Sequence, residues 1–255
     1  MWLRLRQICL VAADIESVVA DLNAIFGIEV CHIDPAVGKY GLENRLLPIG
    51  NQLLEIVSPT RPGTAAGRYL ERRGGDGGYM VITQCDALAP RAAHVEQLGV
   101  RVANALDHDG FHGMQLHPKD TGGAFFEIDE QRGNQNEDGD WHPAGNQWQA
   151  ARRTEVIDAI VAAELQSDDP SSLAAKWSEI AQIPLNPGPP LSFALDNAIV
   201  RFVPPSDGRA EGLGQIDVRV RDRTKAITAA RARGCFADEN TLLIGGIRIG
   251  LVNPE

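Results

Sequence analysis

Four strand residues recur at almost the same interval, and that interval constrains the chain more than any other feature. The segment "RQICLVAADIESVVADLNAIFGIEV" reads as an apolar strand, an acidic helix start at Asp14 and Glu16, apolar residues at helical spacing and a stop at Gly27. Three short strand-like runs follow, the clearest being "NRLLPIG" and "NQLLEIVSP" around Ile49-Gly50-Asn51. The same order returns in "GYMVITQCD", "ALAPRAAHVEQLG", "VRVANAL" and the two strands flanking "HPKDTGG". Gln7 and Glu55, in the first and last strands of unit one, are 48 residues apart; Met80 and Glu127, in the matching strands of unit two, are 47 apart. Such a repeat marks a supersecondary unit that buries its apolar face only against a copy of itself.

Two fainter copies follow, one from "EVIDAIVAAELQ" to "LSFALDNAIVRFVPP" and one from "GQIDVRVRDRTKAITAARARGC" to "TLLIGGIRIGLVNP". The expected fold is α+β, with four βαβββ modules in two tandem halves. Residues 1–130 form the first half and residues 154–255 the second. Residues 131–153, which begin with the polar run "QRGNQNEDGDWHPAGNQ", form a linker or lid. A chain of 255 residues accommodates both halves, and 44% hydrophobic with 23% charged residues argues against disorder.

The formal net charge of −10 disfavours a nucleic-acid partner, which needs a basic face. No apolar run approaches the ~18 residues of a membrane helix. The four cysteines stand singly, as buried small hydrophobes in a reducing cytoplasm would. The expected protein is cytoplasmic and takes a small-molecule substrate; a homodimer is left open.

The stretch "LHPKDTGGAFFEIDE" sets Glu127 among phenylalanines, where a lone acid is costly unless paired, hydrogen-bonded or metal-bound. Strand alternation puts Leu53, Glu55 and Val57 on one face, and Phe125, Glu127 and Asp129 on one face. Both faces of these strands are largely apolar, so each has a helix layer on one side and an enclosed cup on the other, and the acids belong to the cup. Two carboxylates and the Gln7 amide facing one cavity suit a divalent Mn, Ni, Co, Zn or Mg ion. With an ion, the chemistry is polarisation of a substrate carbonyl, with Glu127 or Glu55 as the base. Without one, two nearby acids repel and one holds its proton.

The segments "LLPIGNQLLEIVSP", "GRYLERRGGDGG" and "LHPKDTGGAFFEID" resemble, in order and spacing, the vicinal oxygen chelate superfamily. Within it the likeness is to the glyoxalase-like, methylmalonyl-CoA epimerase-like members, and it covers residues 3–130. The resemblance implies paired modules curled around one cup, with a metal held from the first and last strand of each module. Here those positions are Gln7, Glu55, Met80 and Glu127, of which Gln7, Glu55 and Glu127 match the expected ligand types. Met80 departs from the pattern, because a thioether is soft and neutral. The expected activity is that of a glyoxalase-like lyase or isomerase, with Glu55 and Glu127 catalytic and Met80, His112 and Phe125 touching substrate. The alternative is a metal-free binding protein of the bleomycin-resistance type.

Further expectations concern single residues. His117 reads as turn chemistry beside Pro118, and Tyr79 as packing on the strand face opposite Met80. The Gly74–Gly78 run joins two modules, and Arg72 and Arg73 read as a solvated face rather than a grip on an anionic tail. Trp141, His142 and Trp148 either cap the cup or pack on one half. In the second half the matching positions fall near Ala162, Val200, Ile216 and Ile249, to within a residue of slippage, none of them a ligand, so that half is expected to be scaffold, a partner layer or a lid.

Overall fold

Strand β1 (Leu3–Val11) is buried along its length, Arg4, Arg6 and Gln7 included, and Asp14 turns the chain out of it by accepting from Ser17 N to cap α1 (Ile15–Phe26). Gly27 closes that helix in the left-handed conformation, its N–H reaching back to Asn23 O. The buried stripe of α1 is Ile15, Val18, Leu22, Ile25 and Phe26. Strands β2 (Leu42–Ile49) and β3 (Gln52–Pro59) follow as an antiparallel hairpin. The first of the three runs expected after α1 is reduced to a bridge between His32 and Leu46. Asp34 there caps a short 3-10 helix over Pro35–Tyr40, which carries the chain off the sheet edge. A helix not anticipated from the sequence, α2 (Ala65–Arg73), is capped by Thr64 and closed by Gly74 before the second unit starts.

That unit keeps every element: β4 (Gly77–Cys85), α3 (Leu88–Gln97), β5 (Val102–His108), β6 (Phe111–Leu116) and β7 (Phe125–Gln131). The computed structural model describes residues 1–133 and 135–254; Asn134 of the expected linker and the terminal Glu255 lie outside the described residues. Among the described residues the first sheet has seven strands in the order β2-β3-β1-β4-β7-β6-β5. β1 and β4 lie antiparallel at its centre, each flanked by the parallel last strand of its own unit. This order sets Gln7, Glu55, Met80 and Glu127 on four adjacent strands.

The second half repeats the plan with β8 (Ile157–Gln166), α4 (Pro170–Ala181), β9 (Leu191–Ala194) and β10 (Ile199–Val203). It ends with β11 (Gly212–Val220), α5 (Arg223–Arg233), β12 (Phe236–Asp238), β13 (Thr241–Ile244) and β14 (Ile247–Val252). Its sheet runs β12-β13-β14-β11-β8-β10-β9. The architecture is thus α+β, two curled sheets each built from a pair of strand-helix-strand units. Among the described residues no helix is long and apolar enough to cross a membrane.

One apolar core joins the halves, with Leu5, Ile8 and Phe126 in the same cluster as Ile160, Leu213 and Trp177. Trp177 stacks on Phe126 at 4.3 Å and 4°, and its indole donates to Thr121 O at 3.0 Å. The Gln52 side chain closes two bonds with the Ile160 backbone, both 2.7 Å, so the β2–β3 turn is fastened to β8.

Register places the second-half counterparts one residue away from three of the expected positions. Cys9 pairs with Glu55 and Met80, and Glu164 pairs with Arg201 and Gln215 in the same way. Gln7 leads through Ile82 to Glu127 as Ala162 leads through Asp217 to Gly250. Ala162 is therefore the counterpart of Gln7, while Arg201, Gln215 and Gly250, rather than Val200, Ile216 and Ile249, are those of Glu55, Met80 and Glu127. This second concave face is filled by its own ion pairs: Arg201 to Glu164 at 2.6 Å and to Asp217, and Arg248 to Glu164 at 3.0 Å.

Candidate functional site

The β1–β4 ladder carries two bulges, and they decide what faces the cup. Leu5 and Gln7 on β1 oppose Thr83 and Ile82, so Arg6 is one extra residue; Gly78 and Met80 on β4 oppose Leu10 and Cys9, so Tyr79 is the other. The first bulge shifts the phase of β1, so that Leu5 and Ile8 both join the core while Gln7 and Cys9 face the cup. The second sets the Tyr79 side chain beside Met80 on the cavity wall, correcting the expectation that it points to the opposite face. Its ring meets Tyr69 edge-on at 5.2 Å and Phe125 at 5.1 Å.

The cavity has a volume of about 840 Å³. It brings together Gln7, Glu55, Met80, Phe125 and Glu127, five of the six side chains singled out from the sequence. The sixth, His112, is not on its wall. Gln115 and Phe111 of β6 face the cavity, whereas His112 alternates away and binds Asp107 Oδ1 through Nδ1 at 2.8 Å. Three other histidines line the cavity, His108, His117 and His142; sequence reasoning assigned His117 only to the turn and His142 to the linker. Arg72 and Arg73 also line the cavity, as do Lys39, Arg68 and Lys119.

Glu55 lies on the floor, 8% exposed. Asn44 Nδ2 donates to its Oε1 at 2.7 Å and Gln7 Nε2 to its Oε2 at 2.9 Å. Burial raises its proton affinity above the ordinary carboxyl range, against the pull of these amides. Gln7 Oε1 in turn accepts from Trp141 Nε1 at 2.9 Å. The expected linker is therefore a plug: Trp141 and Trp148 are both 1% exposed and sandwich Arg6 at 5.3 and 5.1 Å. The Arg6 guanidinium also donates to the carbonyls of Asn51, Glu137 and Gly139.

Glu127 has a different setting. Its Oε2 is buried without a hydrogen-bond partner, and burial pushes its pKa up to about 7, while contacts with Asp129 and Gln115 pull the other way. Asp129 is buried beside it, and its proton affinity is raised by burial and by the Glu127 charge. Room for Asp129 comes from Gly113 on β6, where a Cβ would stand 1.9 Å from Asp129 Oδ1. Sequence alternation had placed Asp129 on this face without giving it a role; Asn44, Gln115 and Trp141 were not identified as partners of the acids.

Known proteins can be set beside this geometry. No family model matches the chain. Methylmalonyl-CoA epimerase from human mitochondria is 22% identical over 130 residues, which is 50% of this chain and 73% of that protein. The mouse enzyme matches equally, at 22% over 130 residues. Among solved structures, a triple mutant of 4-hydroxymandelate synthase from Streptomyces coelicolor superposes with a TM-score of 0.68 at 15% identity, covering 91% of this chain and 75% of that one. The fold is the vicinal oxygen chelate fold. Both halves of the chain take part in that superposition, so the vicinal oxygen chelate arrangement of paired modules extends past residue 130, where the sequence resemblance ends.

Proposed function

We propose that the first cup binds a small carbonyl or carboxylate compound and transfers a proton on it, an isomerase- or epimerase-type reaction with Glu127 as the acid–base group. The observation that carries this reading is the buried Glu127 carboxyl, which lines a ligand-sized cavity and whose proton affinity is pushed by burial toward neutrality. Such a group takes a proton from carbon next to a carbonyl and returns it at the same pH. Glu55 faces the same cavity and is the second carboxyl available there. Tyr79, Met80 and Phe125 offer apolar surface to the body of the substrate. The similarity to methylmalonyl-CoA epimerases supports proton transfer next to a thioester carbonyl as the first chemistry to assay.

The mouth supports an anionic tail on that substrate. Lys39, Arg68, Arg72 and Lys119 come from three separate segments, and among the described residues none is within ion-pair distance of an acid. In a chain of net charge −10, four cations free of ion pairs at one cavity, beside Asp34 and Glu211, are suited to phosphate or carboxylate groups.

A divalent ion does not fit the donor set. Both Glu55 oxygens receive amide N–H groups, the Gln7 carbonyl oxygen is taken by an indole, and Met80 offers a neutral thioether. Among the described residues no three His, Cys, Asp or Glu side chains converge as a metal site. No step of the reaction is therefore routed through an ion. The same satisfied amides favour, as a second reading, a binding protein that holds its ligand without turnover.

The experiment is solvent-deuterium exchange at the acidic carbon, followed by NMR across acyl thioesters, 2-oxo acids and 2-hydroxy acids. Exchange that Glu127→Gln abolishes while ligand affinity stays intact supports the isomerase reading. Tight binding with no exchange in the wild-type protein overturns it in favour of the binding reading.

A further inference from the structure

We propose that Trp141 closes the metal corner of this cup: its indole locks Gln7 into the role of donor to Glu55, and a chain of amides replaces a divalent ion as the element that positions that carboxylate. The inference is independent of the proposed reaction, since it concerns what the corner binds rather than what the cup transforms.

The argument rests on hydrogen-bond direction. An amide side chain can be turned end for end without changing its shape, so its orientation is decided by its partners. An indole N–H can only donate. Trp141 Nε1 stands 2.9 Å from the Gln7 side chain, so the atom facing it is the carbonyl oxygen and the NH₂ faces Glu55 Oε2, also at 2.9 Å. The other flank of Glu55 is settled in the same way. Asn44 Oδ1 accepts from the Asp34 backbone N–H at 2.8 Å, and a backbone N–H is again a donor only, which leaves Asn44 Nδ2 to face Glu55 Oε1 at 2.7 Å. Two donor-only groups, one from the linker and one from the segment before β2, thus turn both amides toward the carboxylate.

In this state Gln7 presents hydrogens, not a lone pair, to the place an ion would take. Releasing it means moving Trp141, which is held edge-on to Phe111 at 5.3 Å and over the Arg6 guanidinium at 5.3 Å. Arg6 in turn is tied to three carbonyls, two of them in the linker. The lock is therefore part of the plug, and Asn44 and Trp141 lie outside the first and last strands from which metal ligands come. Asn44 and Trp141 are positioning residues, acting on Glu55 and Gln7.

The test is a titration of the purified, untagged full chain with Mn²⁺, Co²⁺, Ni²⁺ and Zn²⁺, read by isothermal calorimetry and by metal content after gel filtration. The wild-type protein is expected to retain no stoichiometric ion. One equivalent of metal in the wild type, lost in Glu55→Gln, would overturn the proposal by itself, whatever the variants do. The lock is tested by Met80→His alone against Met80→His with Trp141→Phe, using Co²⁺ and its visible d–d bands. Phenylalanine keeps the ring contacts and removes only the N–H. The double variant is expected to hold one equivalent of Co²⁺ at least tenfold more tightly than the single one. Equal affinities in the two, or binding in neither, would show that the indole is not what closes the corner.

Discussion

If Glu127 holds a proton at neutral pH, the folded protein binds more protons than the unfolded chain, and stability must fall as pH rises. The ordinary value for this carboxyl is 4.5 and the folded value about 7. Between these limits the native state carries the proton and the unfolded state has lost it, so the slope of unfolding free energy against pH is negative, about 1.4 kcal/mol per pH unit. Over the whole window the loss amounts to about 3 kcal/mol from Glu127, absent below pH 4.5 and complete above pH 7. Urea unfolding by circular dichroism, from pH 4 to 8 at fixed ionic strength, measures it. Glu127→Gln supplies the contrast, because a glutamine side chain does not titrate and its N–H can donate to Asp129 as a carboxylate. The difference between wild type and variant should grow across the window in favour of the variant. A difference that does not change between pH 4 and 8 would refute the buried-proton argument and with it the assignment of Glu127 as the acid–base group.

Three further outcomes follow from the same contacts. Gly113→Ala places a Cβ where Asp129 Oδ1 now sits, so Asp129 must shift at a cost of about 1–3 kcal/mol, and the pH at which any exchange activity is half-maximal should move with it. Trp177→Ala empties the stack on Phe126 at the junction of the halves and should lower unfolding free energy by about 3–5 kcal/mol in the same urea assay. Reversing a mouth cation, as in Arg72→Glu, should raise KM for a substrate with an anionic tail roughly fivefold, about 1 kcal/mol, leave kcat unchanged, and show its largest effect at low salt.

The repeat interval made the sheet order and four central side chains readable, because a period of two along each strand and an equal spacing between units leave little freedom. The bulges escaped that reading. An extra residue at Arg6 or Tyr79 inverts the inside-outside pattern locally, and nothing in "LRLRQICLV" or "GGYMVITQC" marks which residue is extra. The partners of the acids were hidden for a different reason. Trp141 lies 134 residues from Gln7 in a segment whose composition resembles a linker, and Asn44 reaches Glu55 from a neighbouring strand, so neither contact has a local signature. A buried carboxylate could be recognised as needing partners; which partners it had depended on tertiary packing.

The two concave faces resolve the same physical problem differently, and the second can be tested as directly as the first. At the counterpart of Glu55 stands Arg201, and beside it, at the counterpart of Cys9, stands Glu164. Arg201 bridges Glu164 and Asp217, while Glu164 keeps a second contact to Arg248 and Asp217 a second contact to Gln215 at 2.7 Å. Here the charges are satisfied by one another. Removing one member should be costly and removing a pair should not. Arg201→Met strands two partly buried carboxylates and should cost about 3 kcal/mol, near the lower end for a broken buried pair because each acid keeps one donor. Adding Asp217→Leu to it removes one of the stranded charges and should restore part of the loss. If the double variant is less stable than the single one in urea, the ions are contributing more than mutual neutralisation, and the second cup must be reconsidered as a site.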